Sequence, residues 1–237
     1  MALFTPRLLV FDLDGTLIDS RIDLCNSVNA MLSHFGKYTL AEPTIASYIG
    51  DGASTLVRRA LAHAHLVADE PDPHDDTFIV EATSWFIDWY RVHKLDYTYV
   101  YPGVLESLSL IRERHPALPI AVLTNKPVHP SRDICRHFNL DRYFYQIYGG
   151  SSFETKKPNP EGLLTLIAEA ERLTSTLILP SETVMIGDSH VDVETARACG
   201  VRSLGCTFGL SSQSLAAAGP DMSVDHASDW PRVLNLL

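Results

Sequence analysis

The stretch Leu8-Leu9-Val10-Phe11-Asp12-Leu13-Asp14-Gly15-Thr16-Leu17 decides how this chain is read. Four apolar residues run straight into a carboxylate. A run so short and so apolar, without polar alternation, is the pattern of a strand buried on both faces of a parallel sheet. Two other segments have the same shape. Pro119-Ile120-Ala121-Val122-Leu123 ends at Thr124, and Thr183-Val184-Met185-Ile186 ends at Gly187-Asp188. Val201-Arg202-Ser203-Leu204 is a weaker run that stops near Gly205. Helical patterns cover Val104 to Arg114, Ser131 to Phe138, Glu161 to Leu173 and Asp192 to Cys199, so strands and helices alternate. That alternation predicts an α/β fold, a doubly wound and mainly parallel sheet.

The polar residues stand at the C-terminal ends of the apolar runs. In an open parallel sheet that edge is where ligands bind. Asp12, Thr124 and Asp188 are therefore expected to converge, and Lys157, in a loop before a helix, reaches the same edge. Between Leu17 and Tyr97 the strand signal disappears. Ile22 to Phe35, Ala53 to Leu66 and Asp76 to Leu95 read as helices, separated by Gly36, Pro43, Gly50-Asp51-Gly52 and Asp69-Glu70-Pro71-Asp72-Pro73. The expected organisation is an α/β core from residues 1–16 and 98–237, with residues 17–97 inserted as a helical cap.

The chain has 237 residues, 46% hydrophobic and 20% charged, an ordinary globular composition with room for one sizeable core. A net charge of -10 speaks against a nucleic-acid polymer or an anionic membrane as partner, since either needs clustered Lys and Arg. The four cysteines make no C-x-x-C pair and read as buried free thiols in a reducing compartment. The histidines are scattered; His63 and His65 lie two apart and do not share a helical face, a poor zinc arrangement. No stretch approaches the roughly 18 apolar residues of a membrane helix, and the apolar N-terminal run leads into Asp12 and Asp14 rather than a cleavage site. The expected location is cytoplasmic, as a monomer or homodimer.

Asp12 and Asp14 are two close carboxylates at a buried strand end, a pair that needs a cation or a shared proton. A divalent ion with Asp188 as a further oxygen ligand answers this, and hard oxygens suit Mg²⁺. Asp192, near a helix N-terminus, supports the site from behind. A carboxylate that attacks phosphorus becomes an aspartyl phosphate. The transferring group then needs positive charge and donors, which Lys157, the Thr124 hydroxyl and backbone N–H groups around Gly15 supply. Asp14 is placed to protonate the leaving oxygen and then to deprotonate water.

These residues resemble the haloacid dehalogenase superfamily of phosphatases. Phe11 to Leu17 looks like its first motif, Leu123-Thr124-Asn125-Lys126 like its second, Lys157-Pro158-Asn159-Pro160 like its third, and Gly187-Asp188-Ser189-His190-Val191-Asp192 like its fourth. The resemblance implies Asp12 as nucleophile and Asp14 as acid and base. It implies phosphate binding by Thr124, Asn125 and Lys157, and Mg²⁺ held by the Asp12 side chain, the Asp14 carbonyl and Asp188. The insertion directly after the first motif, with Tyr48-Ile49-Gly50-Asp51-Gly52 and Leu56-Val57-Arg58-Arg59-Ala60-Leu61, is similar to the phosphoglycolate phosphatase-like branch. Gly50, Asp51, Gly52 and Arg58 are the candidate substrate contacts of the cap. Trp85, Phe86, Trp89 and Tyr90 have helical spacing and read as cap core. The expected reaction is hydrolysis of a small phosphorylated metabolite, foremost a small acid such as 2-phosphoglycolate. The alternatives are a phosphosugar mutase of the same superfamily, or a phosphatase for nucleotides, sugar phosphates or pyrophosphate. A dehalogenase is disfavoured because Asp14 offers the leaving-group acid, and a non-catalytic module because no motif residue is lost.

Overall fold

The computed structural model describes residues 4–68 and 75–237. The chain divides into two compact units, Met1–Asp19 with Val100–Leu237, and Ser20–Tyr99. The expected cap limits of 17 and 97 fall two or three residues short of these boundaries. Two-residue strands, β2 (Ile18–Asp19) and β3 (Tyr99–Val100), mark where the chain leaves the first unit and re-enters it.

The first unit is a six-stranded sheet. Its strands are β1 (Leu8–Phe11), β4 (Ile120–Leu123), β5 (Gln146–Tyr148), β6 (Thr183–Gly187), β7 (Arg202–Cys206) and β8 (Met222–Val224), in the order β5-β4-β1-β6-β7-β8. Every neighbouring pair is parallel. The chain builds outward from β1 to β4 and β5, then returns to the other side of β1 for β6, β7 and β8. That reversal places the C-terminal ends of β1, β4 and β6 side by side, the crevice that open parallel sheets use for ligands. The α/β class expected from the apolar runs is the fold observed.

Alternate residues of β1 serve opposite faces. Leu8 and Val10 pack with Ala121, Met185 and the inner face of helix α7 (Glu161–Thr174). Phe11, on the opposite face, meets Trp230 with ring centroids 5.0 Å apart. Several helices start or end differently from their sequence patterns. Helix α6 (Val128–His137) opens three residues before Ser131, because Pro130 falls in a first turn where no intrahelical N–H bond is lost. Helix α8 (His190–Ala198) opens at His190, with Ser189 as its N-cap. Helix α4 (Asp76–His93) stops two residues short of Leu95. The remaining core helices are α5 (Val104–Arg114), α9 (Ser212–Ala218) and α10 (Trp230–Val233).

The second unit is helical: α1 (Arg21–His34), α2 (Glu42–Ala46), α3 (Ala53–Ala68) and α4. Its own core joins Val28, Met31 and Leu32 of α1 to Val57, Ala60, Leu61 and Ala64 of α3 and to Ile79, Ala82, Phe86 and Tyr90 of α4. Phe86 and Tyr90 are the buried members of the expected aromatic group; Trp85 packs at the margin and Trp89 is exposed. Trp85 and Trp89 instead stack on each other, with ring centroids 5.3 Å apart. The two ends of the unit are tied by Asp23, which is buried and accepts hydrogen bonds from Thr98 N at 2.8 Å, Thr98 Oγ1 at 2.7 Å and Tyr97 N at 3.0 Å. The breaker expected at Asp69 to Pro73 lies outside the described residues. No helix among the described residues is long and apolar enough to cross a membrane, and all four cysteines are buried with free thiols.

Candidate active site

Asp12 immediately follows β1, and its N–H donates to Ile186 O of β6 at 2.8 Å, so the backbone at this residue is held by the sheet itself. The chain then turns sharply. Leu17 N and Ile18 N both donate to Leu13 O, and Gly15 N donates to Ile18 O at 2.9 Å. Gly15 sits at φ +81, and a Cβ there would collide with the Asp188 carboxylate. Only glycine satisfies both demands. The N–H groups of Gly15, Thr16, Leu17 and Ile18 all close this turn. These four donors are taken up by the turn, to which Gly15 contributes its shape.

Four elements bring their side chains to this point. Lys157 Nζ lies 2.9 Å from Asp12 Oδ1 and 2.6 Å from Asp192 Oδ1. Asp192 Oδ2 accepts from the N–H of Ser189 at 3.1 Å and from its hydroxyl at 2.8 Å, so both of its oxygens are engaged. Asp188 follows β6; its Oδ2 accepts from Leu210 N at 2.7 Å and from Ser211 N at 3.1 Å. Asp12, Asp188 and Asp192 each present an oxygen within 4.8 Å of the others, and all three are buried. Thr124 is buried at the end of β4, its Oγ1 accepting a long bond of 3.3 Å from Lys126 N. Asn125 donates from Nδ2 to Lys157 O at 2.9 Å, which pins the loop that carries the lysine.

One participant carries no role in the motif reading. Lys126 Nζ donates to both oxygens of Asp14, at 3.0 and 3.2 Å, with its side chain almost fully buried. A lysine directly after Thr124-Asn125 is visible in the sequence, but strand-end logic does not say which carboxylate it meets. The Gly209-Leu210-Ser211 turn was likewise missed; nothing but a weak apolar run precedes it.

The electrostatics follow from burial. Burial is the main force on Asp12; Lys157 opposes it and Asp192 adds to it, and the carboxyl is pushed up to about 6. Burial, then repulsion from Asp192 and Asp12, lifts Asp188 well above the usual carboxylate range against the two backbone donors. Burial works against the Lys157 ammonium, yet Asp12 and Asp192 outweigh it and the lysine is held above its ordinary value. Three buried carboxylates around one ammonium lack positive charge. An oxygen-only donor set with that deficit fits a hard divalent cation such as Mg²⁺. Because Asp192 is bonded through both oxygens, Asp12 and Asp188 are the side chains able to offer it an oxygen.

The candidate contacts Gly50, Asp51, Gly52 and Arg58 belong to the helical unit. Gly50 and Gly52 both adopt positive φ, at 122 and 89. Asp51 pairs with Arg59 at 2.6 Å, and Arg58 pairs with Asp76 at 2.8 Å.

The family model of haloacid dehalogenase-like hydrolases matches residues 9–206, from β1 through β7. The chain belongs to this family. Among its relatives, a phosphoglycolate phosphatase of Pseudomonas putida is 36% identical over 93% of the chain and 76% of its own length. A phosphoglycolate phosphatase of Chromobacterium violaceum is 35% identical, with 94% of each chain covered. A crystal structure described as a predicted phosphoglycolate phosphatase from Haemophilus somnus superimposes with a TM-score of 0.87 at 28% identity, covering 96% of this chain and 97% of that one. Family and relatives together make this haloacid dehalogenase-like protein a phosphatase.

Proposed function

We propose that the protein is a Mg²⁺-dependent phosphomonoester hydrolase that works through an aspartyl phosphate on Asp12, with a small phosphorylated acid such as 2-phosphoglycolate as substrate. The observation that carries this reading is the Asp12 carboxylate, fixed at the end of a central strand with Lys157 at 2.9 Å and Asp188 beside it. Mg²⁺ would be held by Asp12 and Asp188, with the Asp14 carbonyl as the third protein oxygen implied by the family resemblance. When bound it supplies charge neutralisation to the transferring phosphoryl group.

The chain's own groups divide the remaining work. An oxygen of Asp12 attacks phosphorus, and the bond from phosphorus to the ester oxygen breaks. Asp14 gives its proton to that leaving oxygen. Lys157 and the Thr124 hydroxyl face the phosphoryl oxygens, where charge builds up. Asp14, now a carboxylate, takes a proton from water; the hydroxide attacks phosphorus, releasing phosphate and restoring Asp12. Lys126 keeps Asp14 oriented through both steps. Asn125 serves by holding the Lys157 loop. Gly50, Asp51, Gly52 and Arg58 are proposed as the cap residues that read the leaving group.

The choice of a small acid is supported by the relatives of Pseudomonas putida and Chromobacterium violaceum, which are phosphoglycolate phosphatases. A panel containing 2-phosphoglycolate, sugar phosphates, nucleotides and pyrophosphate, assayed with Mg²⁺ for released phosphate, tests it. Highest kcat/KM on 2-phosphoglycolate is expected. A preference for pyrophosphate or a nucleotide would remove the substrate assignment, and isomerised sugar phosphate with little free phosphate would replace the hydrolase by a mutase.

A further inference from the structure

Asp188 does not stand alone at the end of β6. The turn after β7, Thr207 to Ser211, folds back over it. Leu210 N and Ser211 N donate to the same oxygen, Asp188 Oδ2, at 2.7 and 3.1 Å. The contact is close enough to exclude a side chain at residue 209. A Cβ on Gly209 would run into Asp188 Cβ and the Gly15 carbonyl, and would come within 2.6 Å of Asp188 Oδ2. The turn is also anchored from behind. Phe208 packs edge-on against Tyr101 at 5.0 Å and lies 6.5 Å from Trp230, the fully buried ring that meets Phe11 of β1. A continuous line of packed rings thus runs from the strand that carries Asp12 to the turn that holds Asp188.

We propose that the Gly209-Leu210-Ser211 turn is a positioning element for the divalent cation. Its two N–H groups occupy Asp188 Oδ2, and Gly209 lets them come that close, so Asp188 offers the cation Oδ1 alone. The inference rests on the Mg²⁺ reading of the site. It goes beyond that reading by assigning the cation's placement to a glycine and two main-chain donors that never touch it. A carboxylate with both oxygens available can turn to chelate a larger ion. One held this way is a single-oxygen ligand of fixed direction, which matches the geometric demand of Mg²⁺. Partners one step behind a ligand typically change metal affinity by about 10- to 100-fold when lost.

The test uses the full chain, freed of metal with EDTA and without substrate. Mg²⁺ is titrated by calorimetry and by the rise in Tm, on the wild type and on Gly209→Ala. In parallel, the amide proton resonances of Leu210 and Ser211 are followed in the wild type as Mg²⁺ is added. The expected result is a Gly209→Ala protein that folds by circular dichroism but binds Mg²⁺ about tenfold more weakly or worse. The two wild-type amide resonances are expected to move along the same binding curve, because the cation draws charge from the oxygen they share. Gly209→Ala binding Mg²⁺ within about twofold of wild type would overturn the proposal. So would Leu210 and Ser211 resonances that stay still while Tm rises, a measurement that decides the matter even if the variant fails to fold. A wild type that binds no Mg²⁺ at all would instead remove the metal reading on which the proposal stands.

Discussion

At the scale of the residue, the site is a contest between carboxylates for two lysines. Lys157 is shared by Asp12 and Asp192, while Lys126 holds both oxygens of Asp14. The separation keeps the proposed nucleophile and the proposed proton carrier from competing for one cation. Asp12→Asn should leave the fold intact and abolish turnover, since an amide does not attack phosphorus; substantial phosphate release from a pure sample would contradict the assignment. Lys126→Met keeps much of the buried stem but removes the ammonium that holds both oxygens of Asp14. Misplacing a reacting group by about 1 Å costs on the order of 10²-fold in rate. A drop in kcat of about that size is expected, with the Mg²⁺ affinity little changed and partial recovery in Lys126→Arg. An unaltered kcat in Lys126→Met would show that Asp14 needs no such partner.

At the scale of the element, the parts that were legible in the sequence are those with the longest apolar signal. The runs at Leu8, Ile120 and Thr183 are entirely buried, so they contain no charged residue to blur them, and they became β1, β4 and β6. These three strands carry Asp12, Thr124 and Asp188 at their ends, which is why the convergence of these residues is legible in the sequence. The outer strands escaped notice. Gln146-Ile147-Tyr148 and Met222-Ser223-Val224 are three residues each, half exposed, and too short to show a period. Asp192 could be placed at a helix start, but its partnership with Lys157 spans 35 residues and depends on the loop that Asn125 pins. Asp23 was illegible for the same reason: an acidic residue in the first turn of α1 looks like a helix-dipole device, yet it is spent on Tyr97 and Thr98 at the far end of the unit. Asp23→Ala would leave two main-chain N–H groups without their acceptor. With charged hydrogen bonds worth about 1.5–3 kcal/mol each and not additive, a loss of about 3 kcal/mol is expected in urea unfolding. A change below about 0.5 kcal/mol, the range of an ordinary surface substitution, would mean that the two ends of the unit are held by other contacts.

At the scale of the whole molecule, the acidic balance and the site pull the same way. The chain carries a net charge of -10, and among the described residues Asp12, Asp188 and Asp192 form a buried acidic cluster. Without a cation this cluster opposes folding. Asp12 ionises near 6 in the folded protein, against an ordinary value of 3.8, and Asp188 is displaced in the same direction. A raised folded-state pKa means that the native chain binds protons that the unfolded chain has released. The contribution of Asp12 to stability is therefore full below the unfolded value and is lost as pH rises through about 6, and that of Asp188 is likewise lost as pH rises. Mg²⁺ reverses the preference, because it binds the ionised carboxylates and must displace those protons at lower pH. The rise in Tm produced by saturating Mg²⁺ over EDTA should thus be small at pH 5 and large at pH 7.5. At a free concentration of about 100 times Kd, ligand binding adds about 2.7 kcal/mol. For a chain of this length that corresponds to roughly 5–10 °C in Tm. Thermal melts at both pH values, each with EDTA and with Mg²⁺, measure the difference directly. An equal Mg²⁺ increment at pH 5 and pH 7.5 would separate the cation from these buried carboxylates. Asp188→Asn supplies the internal control, because it removes one of the displaced groups together with its ligand oxygen and should flatten the increment at both pH values.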